Sequence, residues 1–414
     1  MKASLKLDHE LLAVQSEHQV NAMLEITAPE GEQNADRTPL HLALVLDRSG
    51  SMAGPKLQHT QNAAAYLVNR LGPNDKLALV DYDDEVRLLA SLGAATKQEL
   101  LAAIASISPG GSTNLSGGWL KGLEEVGRGD ENAVRKVLLL TDGLANVGIT
   151  DPSELVELAR NAAVHGTGTT TIGFGADFDE QLLTDMANAG LGNAHYIGAP
   201  EDAPGVFAQE FDDLVSLVAQ NVSVEVRPTH EVKLLGVLND YPQTSVLGGV
   251  QIQLGDAYAE ETRRVVFELH IPDMAALGPV KVADVVLRYT TVGDQIEAHE
   301  VTLPLRVNIV HAGEVGSPDT DVIEEVTILK AARAQREARD LADRGDYGEA
   351  QARLQTFSTE LRSLAEHSER AAELQFEADQ IEASLGEMDP AQWDVAASKR
   401  AHYDVYRKQS GRRR

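Results

Sequence analysis

Hydrophobic and polar residues follow three patterns in succession along the chain. In the first, between residues 2 and 28, apolar and polar positions alternate in two short runs, KASLKLDHELLAV and HQVNAMLEITAP. Alternation with a period of two predicts strands that bury one face and expose the other. We therefore expect two antiparallel strands here, followed by a polar, turn-rich linker, PEGEQNADRTP.

The second pattern, from Leu40 to about Ala219, alternates continuous apolar strands with amphipathic helices. The apolar runs are LHLALVLD, KLALVDYD, KVLLLTD, TTTIGFG and AHYIG. Helices are expected near residues 55–71, 96–107, 152–165, 179–189 and 201–219, with another opening at GGSTNLSGG. This alternation predicts a doubly wound domain of βαβ units around a parallel sheet buried on both faces. The run VRLLASL follows a tight acidic turn, so we expect an antiparallel edge strand there.

The third pattern returns to a period of two between Val222 and Val310. Six runs separated by Gly, Pro and Asp turns predict antiparallel strands: VSVEVRP, KLLGVL, VQIQLG, RRVVFELHIP, VKVADVVLRYTT and HEVTLPLRVNIV. Together with the two N-terminal strands they make a complete antiparallel β-sandwich. We therefore expect the α/β domain to be inserted into this sandwich.

The remaining chain, after HAGEVGSPDTD, has helical spacing of its apolar residues. It predicts a small bundle of helices at 321–344, 346–367, 369–386 and about 390–408, and the basic end RKQSGRRR is expected to be frayed. The expected fold class is thus multidomain α/β + β + α. The predicted domains are the first sandwich strands at 1–38, the α/β domain at 39–219, the remainder of the sandwich at 220–312, a C-terminal helical domain at 320–409 and a basic tail at 410–414.

Charge and composition narrow the range of partners and chemistries that this chain can have. The 414 residues include 36 Lys and Arg against 64 Asp and Glu, a formal net charge of −28. Such an acidic chain repels phosphate groups, so we expect no nucleic-acid partner and no attraction to an anionic membrane surface. The absence of Cys excludes disulfides and thiolate chemistry. The N-terminal residues lack the apolar core of a signal peptide and no run of about 18 apolar residues occurs, so we expect a cytoplasmic protein without a membrane span.

Candidate chemistry concentrates in three segments of the α/β region. Asp47-Arg48-Ser49-Gly50-Ser51 follows one buried strand and Asp142-Gly143 follows another, whereas Gly110-Gly111-Ser112-Thr113-Asn114 precedes a helix. Open parallel sheets bind ligands beyond the carboxyl ends of their strands, where the first two segments lie. Two carboxylates and three hydroxyls form a hard, oxygen-only donor set, which favours Mg²⁺.

Five of these residues carry a resemblance to a known family. Residues 40–219 resemble a von Willebrand factor A domain, a Rossmann-like fold whose metal-ion-dependent adhesion site has the motif Asp-x-Ser-x-Ser, a separate Thr and a separate Asp. The matching residues are Asp47, Ser49, Ser51, Thr113 and Asp142. The resemblance implies that the three hydroxyls bind Mg²⁺ directly, with Ca²⁺ or Mn²⁺ as alternatives. It also implies that the two carboxylates act largely through water or through the residues around the metal.

Longer segments extend this resemblance. DRSGSM, GGSTNLSGG and LLLTDGLANVG are similar to the inter-alpha-trypsin inhibitor heavy chains and to a bacterial group with a calcium-activated-chloride-channel-like family name, which implies no pore here. A sandwich interrupted by an A domain also resembles, in layout, the hybrid domain of integrin β subunits.

Three functions are compatible with these features. We favour a metal-dependent protein-binding scaffold whose cation captures an Asp or Glu of a partner protein. The alternative is a structural adaptor that acts through its helical tail. A Mg²⁺-dependent hydrolase with Asp47 as nucleophile is disfavoured, because Ser49 stands where the acid/base carboxylate is needed, so we expect no enzyme. The acidic residues Asp81, Asp83, Asp84 and Glu85 are expected to form a solvated hairpin tip rather than a second cation site.

Overall fold

The computed structural model describes residues 1–31, 37–292 and 297–413. Part of the predicted linker, residues 32–36, and the final residue of the predicted tail lie outside these ranges. The strands are β1 (Lys2–Leu7), β2 (Leu11–Ala13), β3 (His18–Thr27), β4 (Leu40–Asp47), β5 (Lys76–Tyr82), β6 (Val86–Ala90), β7 (Val134–Thr141), β8 (Thr167–Phe174), β9 (Ala194–Ile197), β10 (Leu217–Pro228), β11 (Lys233–Val237), β12 (Gln243–Val246), β13 (Gly249–Tyr258), β14 (Thr262–Ile271), β15 (Gly278–Thr291), β16 (Ala298–Val310) and β17 (Arg412–Arg413).

The helices are α1 (Pro55–Arg70), α2 (Lys97–Ala105), α3 (Leu115–Gly127), α4 (Pro152–Val164), α5 (Glu180–Ala189), α6 (Ala203–Val215), α7 (Thr320–Asp343), α8 (Tyr347–Ala365), α9 (Ala371–Glu387) and α10 (Val395–Gln409). Short 3-10 turns lie at Gly50–Met52, Pro200–Asp202 and Ala312–Glu314. None of the helices within the described ranges is both long and apolar enough to cross a membrane.

The α/β domain is built on a sheet of order β6-β5-β4-β7-β8-β9. β4, β5, β7, β8 and β9 run parallel, and β6 is the predicted antiparallel edge strand, paired with β5. Alternate residues of β4 point into different layers: Leu42 and Leu44 pack with helices α1, α2 and α6, whereas Ala43 and Val45 pack with α3, α4 and α5. This arrangement confirms the predicted α/β fold with a sheet covered on both faces.

Two further sheets flank this domain in sequence. One has the order β1-β3-β14-β11 with β17 also paired to β14, and the other has the order β12-β13-β10-β15-β16-β2. β3 precedes the α/β domain and β14 follows it, yet they pair along their whole lengths. Apolar residues of both sheets, among them Leu24, Val224 and Phe267, share one core.

Several strand boundaries differ from the sequence prediction. The run predicted as one N-terminal strand divides at Asp8, whose carboxylate accepts the N–H groups of His9 and Asn21 and ends β1. β2 then joins the other sheet, parallel to β16. β12 was not predicted, because its residues are almost all exposed and show no alternation that would mark it.

The last helix predicted for the α/β domain, 201–219, was too long. α6 ends at Val215, and the Ser216 hydroxyl donates to the Asp213 carbonyl, 3.1 Å away, at this end. β10 begins at Leu217, since Leu217 pairs with β13 and Ala219 pairs with both β13 and β15. One residue therefore separates the last α/β helix from the second flanking sheet.

The C-terminal region is helical, as predicted, but its helices contact the rest of the molecule. The first half of α7 packs on the outer face of the β3–β14 sheet, where Val322, Val326 and Leu329 meet Met23 and Val266. Its second half shares a core with α8 and α9. α10 packs against the α/β domain, with Tyr403 stacked on Tyr196 at 5.4 Å between ring centroids.

The prediction of a frayed basic end at residues 407–414 was wrong for five of its residues. Arg407, Lys408 and Gln409 complete α10. Arg412 and Arg413 form β17 against Thr262 and Arg263 of β14. The preceding turn is also anchored, because the Asn239 side chain donates to the Gln409 carbonyl at 3.3 Å. Backbone pairing with the end of β14 that β11 does not cover therefore orders a segment whose composition alone suggested mobility.

Candidate metal centre

The three candidate segments meet at the carboxyl edge of the parallel sheet. Backbone hydrogen bonds join two of them, since the Gly110 N–H donates to the Arg48 carbonyl at 2.7 Å and the Gly50 N–H donates to the Gly111 carbonyl at 2.9 Å. The third segment follows β7, the strand next to β4. Asp47, Ser49, Ser51, Thr113 and Asp142 thus lie on adjoining loops, and we call these five residues the candidate metal centre.

Asp47 is fully buried, and both of its carboxylate oxygens accept hydrogen bonds from other protein groups. Its Oδ1 accepts the Ser49 N–H at 2.8 Å, and its Oδ2 accepts the Thr141 hydroxyl at 2.7 Å. Burial raises the pKa of Asp47, although hydrogen bonds from Ser49 and Thr141 oppose the shift. Asp47 therefore fixes the loop between β4 and α1 rather than presenting a free carboxylate.

The two serine hydroxyls lie side by side above this carboxylate. Ser49 Oγ is 3.1 Å from Ser51 Oγ, and the Ser51 hydroxyl donates to Asp142 Oδ1 at 2.7 Å. Neighbouring ligands of an octahedral Mg²⁺ are about 2.9 Å apart when each lies about 2.05 Å from the ion. The spacing of the two hydroxyl oxygens is therefore close to that of adjacent magnesium ligands.

Thr113 reaches the same place from the glycine-rich loop. Its Oγ1 lies 3.0 Å from the position that a Cβ on Gly143 would occupy, next to Asp142. Its carbonyl accepts the N–H groups of Asn146 and Val147, each at 3.2 Å, which ties the two loops together. The next residue, Asn114, caps α3 by accepting the Gly117 N–H at 3.0 Å.

Comparison with known proteins identifies the domain that carries this centre. The model of the von Willebrand factor type A domain family matches residues 41–209. Residues 41–209 form a von Willebrand factor type A domain. This confirms the family that the five site residues indicated. We refer to residues 41–209 as the A domain.

The similarity extends beyond the A domain in some relatives. The Synechocystis protein sll0103 is 28% identical over 340 residues, which cover 80% of each chain. Human inter-alpha-trypsin inhibitor heavy chain H1 is 29% identical over 241 residues, which cover 56% of this chain and 24% of the heavy chain. A solved von Willebrand factor type A protein from Catenulispora acidiphila superposes with a TM-score of 0.71 at 18% identity, over 100% of this chain and 97% of the other. The last likeness shows that the whole fold is shared.

A residue that the sequence did not single out contacts the centre. The Lys56 ammonium, at the second position of α1, lies 2.6 Å from Asp142 Oδ2. Asp142 is fully buried, whereas the Lys56 side chain is 26% exposed. One sequence signal points to Lys56: it follows Gly54 and Pro55 at the start of α1. The start of α1 faces the same sheet edge as the candidate metal centre.

The acidic hairpin beside the centre is only partly exposed to solvent. The prediction of a solvated hairpin tip was therefore wrong for two of its four acidic residues. Asp81 and Asp83 are buried, whereas Asp84 and Glu85 are exposed. Arg48 Nη2 lies 2.7 Å from Asp83 Oδ1, and Arg87 pairs with Asp81.

Asp83 in addition fixes the glycine-rich loop. Its Oδ2 accepts the Gly111 N–H at 2.9 Å, and its carbonyl accepts the Asn114 N–H at 2.8 Å. Burial opposes ionisation of Asp83, but hydrogen bonds from the Gly111 and Glu85 N–H groups and the charge of Arg48 lower its pKa overall. The ionised carboxylate therefore holds the loop that carries Thr113.

The donor set of the candidate centre fits a hard divalent cation. Within residues 1–31, 37–292 and 297–413, no three His, Asp or Glu side chains converge in a cluster that could hold a metal. A site here depends on hydroxyls, which add no charge, together with water. Mg²⁺ suits such a set because it takes few carboxylates and keeps several of its waters.

Proposed function

We propose that this chain is a metal-dependent protein-binding module. In this proposal Ser49, Ser51 and Thr113 hold Mg²⁺, with Ca²⁺ or Mn²⁺ as substitutes, while Asp47 and Asp142 orient the hydroxyls and the metal-bound water. A carboxylate from an Asp or Glu of a partner protein takes the open position. The observation that carries the proposal is the 3.1 Å spacing of the Ser49 and Ser51 hydroxyls beside Asp142.

The charges around the centre support the capture of an acidic group. A bound dication supplies Lewis-acid attraction for a carboxylate. Asp47 is buried and both of its carboxylate oxygens already accept hydrogen bonds, from the Ser49 N–H and the Thr141 hydroxyl, so it does not compete for the open position. Hydroxyl ligands add no negative charge of their own, so the bound cation stays electrophilic towards an anionic partner group.

The surroundings of the A domain support a scaffold role. We infer that the domain is inserted in an antiparallel sandwich, which the pairing of β3 with β14 supports. α6 leads into β10 after a single residue, and α10 packs on the side of the A domain through Tyr403. Such connections hold the candidate centre at a defined orientation to the flanking sheets and helices.

Turnover at this site is not part of the proposal. A nucleophilic aspartate needs a carboxylate oxygen that reaches the substrate and a neighbouring acid or base. Both oxygens of Asp47 accept hydrogen bonds inside the protein, and the residue two positions later is Ser49. We therefore expect this module to bind its partner without chemical conversion.

A paired pull-down tests the proposal. Wild-type protein, Ser51→Ala and the matched control Ser245→Ala, an exposed serine of β12, serve as bait in millimolar Mg²⁺ and again in EDTA. The proposal predicts partner proteins that bind wild type and Ser245→Ala in Mg²⁺ only, and that Ser51→Ala loses. Identical sets of partners in all conditions would instead support the adaptor that acts through its helical tail.

A further inference from the structure

The Lys56 side chain is an unusual neighbour for a candidate metal centre. Its ammonium lies 2.6 Å from Asp142 Oδ2, while Asp142 Oδ1 accepts the Ser51 hydroxyl. The same ammonium lies 3.3 Å from the position that a Cβ on Gly175 would take, so the loop after β8 encloses it on a second side. Lys56 is thus held beside the centre rather than extended into solvent.

Helix electrostatics disfavour a lysine at this place. Lys56 is the second residue of α1, where the helix presents its unpaired N–H groups and the positive end of its dipole. A cation in the first turn is therefore destabilising unless an anion compensates it. Asp142 supplies that compensation, and the Pro55 ring and Gly54, at φ +85°, fix the start of the helix.

We propose that Lys56 sets the charge of the candidate metal centre, weakening its hold on the cation and strengthening the capture of a carboxylate once the cation is bound. This inference rests on the proposed function. Asp47 and Asp142 contribute two negative charges, and Lys56 contributes one positive charge. With a bound dication, the centre therefore carries one net positive charge. Without Lys56 the same loaded centre is neutral.

The two effects of Lys56 have opposite signs, which separates this role from a purely structural one. A lysine that only anchors α1 would weaken metal and carboxylate binding together when removed, through loss of local order. A lysine that adjusts charge makes the metal bind more tightly when removed and the carboxylate bind less tightly. Lys56→Met keeps the length and much of the apolar stem of the side chain and removes the charge.

The experiment compares the full-length wild type with Lys56→Met, Lys56→Arg and the matched control Lys330→Met, an exposed lysine of α7. Mn²⁺ binding is measured by the loss of the free-ion electron paramagnetic resonance signal. Propionate, the simplest analogue of a Glu side chain, is then titrated into the Mn²⁺-loaded proteins, and displacement of metal-bound water is followed by water-proton relaxation. Propionamide is the uncharged control ligand.

We expect Lys56→Met to bind Mn²⁺ about tenfold more tightly and, once loaded, propionate about threefold more weakly, which is a modest effect for a partly exposed unit charge. Lys56→Arg and Lys330→Met should match wild type in both measurements. Circular dichroism and thermal unfolding confirm that each variant is folded. If Lys56→Met is unfolded, Lys56→Gln takes its place with the same expectation.

The outcomes distinguish this inference from the function on which it rests. Mn²⁺ affinity that is unchanged or weaker in folded Lys56→Met, with wild type binding normally, overturns the role of Lys56 and leaves the proposed function standing. Tighter Mn²⁺ binding with unchanged propionate binding overturns the claim that Lys56 strengthens the capture of a carboxylate. Failure of both wild type and Lys56→Met to bind Mn²⁺ overturns the proposed function and the inference together.

Discussion

The Lys136 ammonium, in the central A-domain strand β7, lies 2.6 Å from Asp256 Oδ2 of β13, a strand of the second flanking sheet. Both side chains are buried. Burial opposes the charge of Lys136, but the nearby Asp256 raises the pKa of Lys136 overall, so its ammonium stays charged. One buried ion pair thus joins the sheet that carries the candidate metal centre to the neighbouring sheet.

Breaking this pair on one side should destabilise the protein strongly. Lys136→Met leaves the Asp256 carboxylate buried without its cation, which costs about 3–5 kcal/mol. Urea unfolding of the variant measures the loss. In the double variant Lys136→Met/Asp256→Leu no buried charge is left, so most of the stability should return. A single variant as stable as wild type, or a double variant no better than the single one, would contradict this account.

The glycine-rich loop should tolerate no side chain at Gly110. A Cβ there would stand 1.8 Å from Asp83 Oδ2 and 2.4 Å from Arg48 Nη1, so one of these side chains must move. Because Asp83 also holds Gly111, we expect Gly110→Ala to displace Thr113 and to weaken Mg²⁺ binding by about tenfold or more, as the loss of an orienting contact does at metal sites.

Gly127→Ala is the matched control for Gly110→Ala. Gly127 ends α3, and a Cβ there meets nothing within 4 Å. This variant should bind Mg²⁺ as wild type does and be slightly more stable. Calorimetric titration with Mg²⁺ compares the two variants. Equal metal affinity in Gly110→Ala and wild type would show that the loop does not position Thr113 in the way described.

Stability should fall in mild acid because of His402. This residue lies between Arg339 and Thr184, and burial, with Arg339 nearby, lowers its pKa to about 4. Arg339 only donates, so Nδ1 accepts and the Nε2 proton points to the Thr184 hydroxyl. Between an unfolded pKa of about 6.5 and the folded value, the unfolded chain binds the extra proton.

The stabilisation linked to His402 is therefore complete above pH 6.5 and is lost as the pH falls towards 4, by about 3 kcal/mol in total. Urea unfolding of wild type and His402→Gln at pH 7.5, 6 and 5 tests this. His402→Gln should show a shallower fall in the free energy of unfolding over this range. Parallel pH profiles for the two proteins would rule out His402 as the cause.

The fold and much of the site could be predicted from the sequence where each residue's environment follows from local pattern. Asp47 and Asp142 follow apolar runs, and the carboxyl ends of parallel strands share one edge, so the meeting of their loops could be anticipated. Contacts between side chains that lie far apart in the sequence could not be anticipated in this way. Lys56 is paired with a carboxylate 86 residues away, and the buried carboxylate of Asp83 is paired with Arg48, 35 positions earlier in the chain.

Element ends were harder to predict for the same reason. Nothing local distinguishes Leu217–Ala219 from the end of α6; the pairing of these residues with β13 and β15 makes them a strand. Arg412 and Arg413 are likewise ordered only because β14 offers free backbone groups. In each case a tertiary contact overrides a preference that the local sequence expresses.

The most direct test of the central claim is anomalous diffraction from crystals of the full-length protein grown with Mn²⁺. The account predicts a strong peak that lies within about 2.3 Å of the Ser49, Ser51 and Thr113 hydroxyl oxygens, with Asp47 and Asp142 behind them. Crystals of Ser51→Ala should show a much weaker peak or none. Saturating Mn²⁺ with no peak at these hydroxyls, or with the ion bound elsewhere in the molecule, would contradict the account.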